Sequence, residues 1–244
     1  MTETKVAASK SVVDCREHLK SIAEKHSCSR HELFSVLAGH ELNNRQVAAL
    51  LRNYDAHASV LRRYLLSAAA LMPEPVVTWV LENVRNEYGN GDYSKNHQEQ
   101  LRDLVWSCGI ARDEFFATKI QEGVGKFIAE ASRFYRPQTA SLPPKTKTAA
   151  VVAGAISATE MLAVKEFAAL QKAFYSRGLQ HHIWFDHVGI EVEHLDESLS
   201  LALYFTEQES GRAAVEYGLK GVLDANLHLY DGLLAAIRQY NVID

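Results

Sequence analysis

Helical periodicity runs through almost all of this 244-residue sequence and leaves little room for any other regular structure. The clearest stretch follows Asn43 and Asn44, either of which can cap a long helix that continues to Met72 and ends before Pro73. Strand signals are almost absent, because no turn sequence lies between two runs of alternating apolar and polar residues. The pattern predicts eight helices, at about 29–39, 43–72, 76–87, 97–106, 113–135, 148–175, 181–209 and 211–240.

These helices are expected to form one all-α domain, a bundle of seven to eight helices over residues 11–244. Residues 1–10 are expected to be a disordered tail. Ser29 and Glu32 have the spacing of a capping box, which would open the first helix. The proline-rich segment 136–145 is the one obvious loop.

Composition excludes several classes of function. The net charge of −4 gives no basic signature for nucleic acid. No apolar run approaches the roughly 20 residues of a membrane span, and the N-terminus lacks the apolar segment of a secretory signal. Three cysteines without Cys-x2-Cys spacing favour a reducing, cytoplasmic location and argue against a thiolate metal site.

The motif that carries chemistry is His187-x3-Glu191-x2-His194. Positions i, i+4 and i+7 of an α-helix share a narrow stripe, and apolar residues flank these three. Burying two imidazoles and a carboxylate without partners is costly, and a bound metal removes that cost. The alternative is an amphipathic surface helix with histidines by chance.

Glu160 is the best candidate for a ligand from a second helix, because its neighbours on one helical face are small or apolar. The alternative for Glu160 is a buried carboxylate paired with an arginine. Glu166, next to Lys165 on the opposite face, is expected to be solvated.

Glu87 continues an apolar stripe at the end of its helix, and His97 begins the next helix beyond the break 89–91. A helix end, a tight turn and a helix start can bring these two side chains to one point. Taken singly, each could be a surface residue at a helix end.

Together these residues give three carboxylates and three histidines, which suit two divalent ions of iron, or of manganese, better than structural zinc. Tyr54 and His57 lie on the inward-looking face of the long helix, where either could line the pocket; for Tyr54, core packing is the preferred interpretation. The expected metal ligands are Glu87, His97, Glu160, His187, Glu191 and His194.

The order Glu-x-Gly-x-Gly-x5-His, a lone mid-helix Glu, then His-x3-carboxylate-x2-His resembles the haem-oxygenase-like di-iron oxidases and oxygenases. That group includes the chlamydial protein associating with death domains and shares its fold with thiaminase-type and pyrroloquinoline-quinone-synthesis proteins. The resemblance implies an enzyme that activates O2 at two non-haem irons to oxidise a small organic molecule: an amine, an amino acid, an acid or its own side chain. The expected partners are that substrate and O2, with a homodimer as a possible assembly.

One departure from the family pattern is Glu191, where the family usually has Asp; the longer side chain predicts a weaker second metal position. Two alternatives stay open. One is a metal-free ligand-binding or protein-interaction module on the same fold. The other is a haem-binding degradative enzyme, against which the clustered carboxylates argue.

Overall fold

Helices are the regular secondary structure of the part of the chain that the computed structural model describes. The backbone is described for residues 2–142 and 146–240, and the side chains for residues 13–142, 146–189 and 194–240. The all-α prediction is confirmed. The α-helices are α1 (Thr2–Lys25), α2 (Glu32–Gly39), α3 (Asn44–Ala69), α4 (Val77–Glu87), α5 (His97–Ser107), α6 (Arg112–Ala117), α7 (Glu122–Tyr135), α8 (Thr148–Ala173), α9 (His187–Thr206) and α10 (Gly211–Arg238).

Capping decides where the first helices begin. The Asn43 side chain accepts a hydrogen bond from the Gln46 amide at 3.0 Å, and the Gln46 side chain accepts one from the Asn43 amide at 2.9 Å. This capping box confirms the predicted start of α3. The box predicted at Ser29 is wrong, because Ser29 lies in a 3-10 turn and His31 caps α2 instead, accepting from the Leu33 amide at 3.1 Å.

Other boundaries also differ from the prediction. The backbone of α1 is helical from Thr2, where a disordered tail was expected. The stretch predicted as one helix at 113–135 is divided into α6 and α7. The Asn53 side chain on α3 holds this break: it accepts from the Gln121 amide at 2.7 Å and donates to the Lys119 carbonyl at 3.1 Å.

The α8 helix lies at the centre of the molecule, packed against α10, α9 and α2. It is long and apolar enough to cross a membrane by length and composition, which corrects the expectation that no stretch approaches that length. However, 67% of its most apolar stretch is buried inside the molecule. Two carboxylates, Glu160 and Glu166, also lie along it, so we describe α8 as the core helix of the bundle.

Candidate metal centre

The helices α4, α5, α8 and α9 bring five of the six predicted ligands into one buried region. The backbone of the sixth, Glu191, lies in α9, but its side chain lies outside the described residues. Glu87 is half-buried at the end of α4, and the other four are buried. Those four are His97, Glu160, His187 and His194.

A tight turn joins Glu87 to His97. Its residues Gly89, Asn90 and Gly91 all have positive φ angles, of 76°, 56° and 90°. A Cβ atom at Gly89 would lie 2.7 Å from the amide nitrogen of residue 96, so glycine is required there. The turn brings His97 Nδ1 to 3.2 Å from Glu87 Oε1.

Electrostatics at Glu87 follow from this pairing. Burial alone would raise the pKa of the carboxyl group. The charge and hydrogen bond of His97, with smaller contributions from His187 and His194, outweigh burial and hold the pKa below its usual value. Glu87 is therefore an anion at neutral pH, the state that a metal ligand requires.

His187 is held in one tautomer. Its Nδ1 lies 2.5 Å from the Trp184 carbonyl oxygen, which can only accept, so Nδ1 carries the proton. The ring also stacks on Phe167, with centroids 4.9 Å apart and an angle of 10° between the planes. Burial, aided by the neighbouring His97, lowers the pKa of His187 to about 4, so the ring is neutral at neutral pH.

The second nitrogen of that ring, His187 Nε2, is buried and has no hydrogen-bond partner among the described residues. The His97 ring lies beside it, with centroids 4.0 Å apart. A buried lone pair without a partner is costly, and a metal ion would satisfy it. A ring that donates Nδ1–H to a carbonyl while Nε2 is free is the arrangement in which histidine binds metals.

Glu160 lies between α4 and α9. Its Oε1 accepts a hydrogen bond from the Asn83 side chain at 2.9 Å, and its Oε2 lies 4.0 Å from His194 Nδ1. The second distance is too long for a hydrogen bond but short enough for one ion to bridge the two groups. The partners that the described residues supply to Glu160 include the Asn83 amide and His194, and the arginine of the alternative interpretation is not seen among them.

These donors fit a metal in their chemistry, but their side chains do not surround a single point. Within the part of the chain whose side chains are described, no three His, Cys, Asp or Glu residues form a group that could hold an ion. They form two pairs instead, Glu87 with His97 and Glu160 with His194, and His187 lies against the first pair.

A cavity of about 70 Å³ opens beside the donors. The structure places both Tyr54 and His57 on its wall, with their rings 4.5 Å apart. Burial lowers the pKa of His57 to about 4, so this ring is also neutral at neutral pH. Apolar side chains, among them Phe127 and Phe167, line much of the rest.

Glu166 also lines this cavity and is only 8% exposed, so the prediction that it is solvated is wrong. The prediction assumed that α8 has an outer face. That outer face is only a narrow stripe that includes the exposed Lys165 and Lys172, and Glu166 lies on the buried side of it. Burial raises the pKa of Glu166 to about 7, and the nearby Tyr230 hydroxyl offsets part of that rise without reaching hydrogen-bond geometry.

Two supporting residues were missed from the sequence. Asn83 could have been found, because it lies on the same helical stripe as Val80 and Glu87. Arg62 could not, because its role depends on α5: it hydrogen-bonds the side chain of Asn96 at 2.7 Å and that of Gln98. Arg62 thereby fixes both neighbours of His97.

Solved structures of other proteins resemble this chain in fold. A CADD-like protein of unknown function from Nostoc punctiforme has a TM-score of 0.73 at 17% identity, over 93% of this chain and 99% of that one. A second crystal structure of that protein has a TM-score of 0.69 at 17% identity, over 96% of this chain and 100% of that one.

A domain of unknown function from Shewanella denitrificans, which has a haem-oxygenase-like fold, gives a TM-score of 0.67 at 10% identity over 98% of this chain and 95% of its own. The predicted haem-oxygenase-like fold is therefore confirmed. No curated protein matches the sequence. The family model described as an iron-containing redox enzyme matches residues 48–226, a range that contains all six predicted ligands, and the chain belongs to that family.

Proposed function

We propose that this protein is a non-haem di-iron oxidase or oxygenase that uses O2 to oxidise a small organic molecule. The observation that carries the proposal is His187, a buried neutral imidazole with one nitrogen fixed by the Trp184 carbonyl and the other without a partner among the described residues. Membership of a family of iron-containing redox enzymes supports iron as the metal.

The donor set supports two ions. Two divalent cations carry four positive charges, and the carboxylates Glu87, Glu160 and Glu191 supply three negative ones. His187 and His194 are seven residues apart on α9, so their Cα atoms differ by roughly 10 Å along the helix axis. That separation suits ligands to two different ions. Mixed imidazole and carboxylate ligation suits iron, with manganese as the alternative.

Each residue then has a definite role. Bound ferrous iron would supply the electrons that activate O2. Asn83 orients Glu160, and the Trp184 carbonyl orients His187. The apolar wall around Phe127 and Phe167 keeps the cavity dry, which protects a reactive oxidant from water.

Oxygen consumption tests the proposal. Protein loaded anaerobically with ferrous iron and then mixed with O2 and a reductant should consume O2, and His187→Ala should abolish that consumption. The matched control is His228→Ala, because its side chain is 40% exposed and pairs with Glu130 outside the cavity. Equal oxygen consumption by His187→Ala and wild type would contradict the proposal.

A second candidate is a metal-free ligand-binding module on the same fold. The specific observation in its favour is that no three described donors already form a metal-binding group. This candidate requires that ferrous iron neither binds stoichiometrically nor stabilises the protein.

The proposed setting is the cytoplasm, with a small organic substrate and O2 as partners. The odd number of cysteines and the lack of Cys-x2-Cys spacing support that setting.

A further inference from the structure

The cavity contains one carboxyl group outside the proposed ligand set, that of Glu166. No lysine, arginine or histidine among the described residues forms an ion pair with it. Its neighbour Lys165 points away, donating to the Ser29 carbonyl and lying over the Phe34 ring, 4.9 Å from its centroid. Glu166 is thus a buried acid that faces a cavity and lacks a cation within the described part of the chain.

Burial of a carboxylate without a cation is unfavourable, and a bound cation would offset that cost. Asn226 lies on the same wall and uses its amide nitrogen to donate to the Val222 carbonyl at 2.8 Å. The remaining polar atom of that side chain is a carbonyl oxygen, which can only accept. With Glu166 and Asn226 both able to accept, this end of the cavity suits a hydrogen-bond donor with a positive charge.

The two ends of the cavity, at Glu160 and at Glu166, are separated by about the length of a small organic molecule. Glu166 follows Glu160 by six residues on α8, which corresponds to roughly 9 Å along the helix axis. The wall also includes the apolar side chains of Leu61, Phe127 and Phe167. A cavity of about 70 Å³ has room for roughly five water-sized groups, since one water needs about 10–15 Å³.

We propose that Glu166 binds the ammonium group of a small primary amine, whose apolar carbon chain extends along the cavity toward Glu160. This inference rests on the proposed function, because it takes Glu160 as the reacting end of the site. It specifies the substrate class by charge, size and polarity: one cationic nitrogen on a short apolar body.

The test compares n-butylamine with 1-butanol, two probes of the same size that differ in charge. Calorimetric titration of the purified protein near pH 8, where the amine is still a cation, should show the amine binding at least about tenfold more tightly. That ratio corresponds to one charge-assisted hydrogen bond. Equal affinity for the two probes would overturn the proposal, and this comparison needs no variant.

Glu166→Gln should reduce amine affinity about tenfold and leave butanol binding unchanged. The matched control is Glu82→Gln, which removes a carboxylate whose side chain is 62% exposed on α4. If Glu166→Gln fails to fold, Glu166→Asp is the second variant, because it keeps the charge but shortens the side chain. Glu166→Asp should lower the affinity for n-butylamine and leave the affinity for 1-butanol unchanged. Unchanged amine affinity in a folded Glu166 variant would show that Glu166 is only a structural acid.

Iron binding, measured separately, distinguishes the two proposals. Stoichiometric iron binding without preference for the amine would overturn amine recognition and leave the proposed oxidase intact. Preference for the amine without iron binding would overturn the oxidase and leave Glu166 as the recognition group of a binding protein.

Discussion

Among single residues, Glu166 is expected to make stability depend on pH. Its pKa is about 7 in the folded protein, against a reference of 4.5. Below pH 4.5 the group is protonated in both states and has no effect. As the pH rises from 4.5 to 7 the unfolded chain loses the proton first, so the folded state loses stability, and the loss is complete above pH 7.

Glu166→Gln removes this dependence. The variant should gain stability relative to wild type between pH 5 and pH 8, by roughly 3 kcal/mol at most, because one pKa unit corresponds to about 1.4 kcal/mol. Urea unfolding at pH 5 and pH 8 measures the free energy of unfolding of both proteins. If wild type and Glu166→Gln differed in that free energy by the same amount at both pH values, the carboxyl group would titrate normally.

Asn83 is expected to affect iron binding without being a ligand. Its side chain holds Glu160 through a 2.9 Å hydrogen bond. Asn83→Ala should weaken ferrous iron binding about 10- to 100-fold, the usual effect of removing a group that orients a ligand. Glu82→Ala, the adjacent change on the exposed side of α4, is the control. Equal iron affinity in both variants would mean that Glu160 needs no orientation.

Glu191 carries a prediction from the sequence alone. If its extra methylene weakens the second metal position, Glu191→Asp should bind the second equivalent of ferrous iron more tightly than wild type. An anaerobic titration compares the two affinities. Equal values would rule out side-chain length as the cause while leaving the di-iron assignment standing.

At the scale of secondary-structure elements, glycine sets how closely α8 and α10 approach. A Cβ atom at Gly154 would overlap the Val215 carbonyl oxygen, and one at Gly218 would overlap that of Val151. The two helices therefore pack backbone to backbone, which fixes the position of α8 and of the carboxylates along it.

Gly154→Ala should destabilise the protein by about 1–3 kcal/mol, because the added methyl group must push the helices apart. Gly125→Ala is the matched control, since a Cβ there meets nothing within 4 Å in the α7 helix. That change should raise stability by up to about 1 kcal/mol through helix propensity. Thermal unfolding measures the change in midpoint temperature of each variant relative to wild type. If both midpoints shifted by a similar amount in the same direction, the packing argument would be refuted.

Helix boundaries show what the sequence could and could not predict at this scale. The Asn43 cap was foreseeable because its signal is local. The break between α6 and α7 was not, because Asn53 makes it from a different helix. The start of α9 at His187, after a 3-10 turn over Ile183–Asp186, was also missed.

For the whole molecule, the helical class followed from periodicity, because amphipathic stripes are a property of sequence. The grouping of Glu87, His97 and Glu160 could be anticipated only from polar residues placed on apolar faces. Glu166 was misjudged because the exposed stripe of α8 is narrow, and the sequence does not show that Glu166, next to the exposed Lys165, lies outside that stripe. Burial of that kind depends on the packing of the whole bundle.

The central claim is that this bundle binds iron through the residues brought together from α4, α5, α8 and α9. Anaerobic titration with ferrous iron tests it most directly. Wild type should bind two equivalents, and the double variant His187→Ala with His194→Ala should lose stoichiometric binding while keeping its helix content by circular dichroism.

The control in the same titration is His18→Ala with His228→Ala, which removes two histidines whose side chains are each 40% exposed. It should bind iron as wild type does. Absence of stoichiometric binding in wild type, or equal binding by the His187 and His194 double variant, would contradict the account.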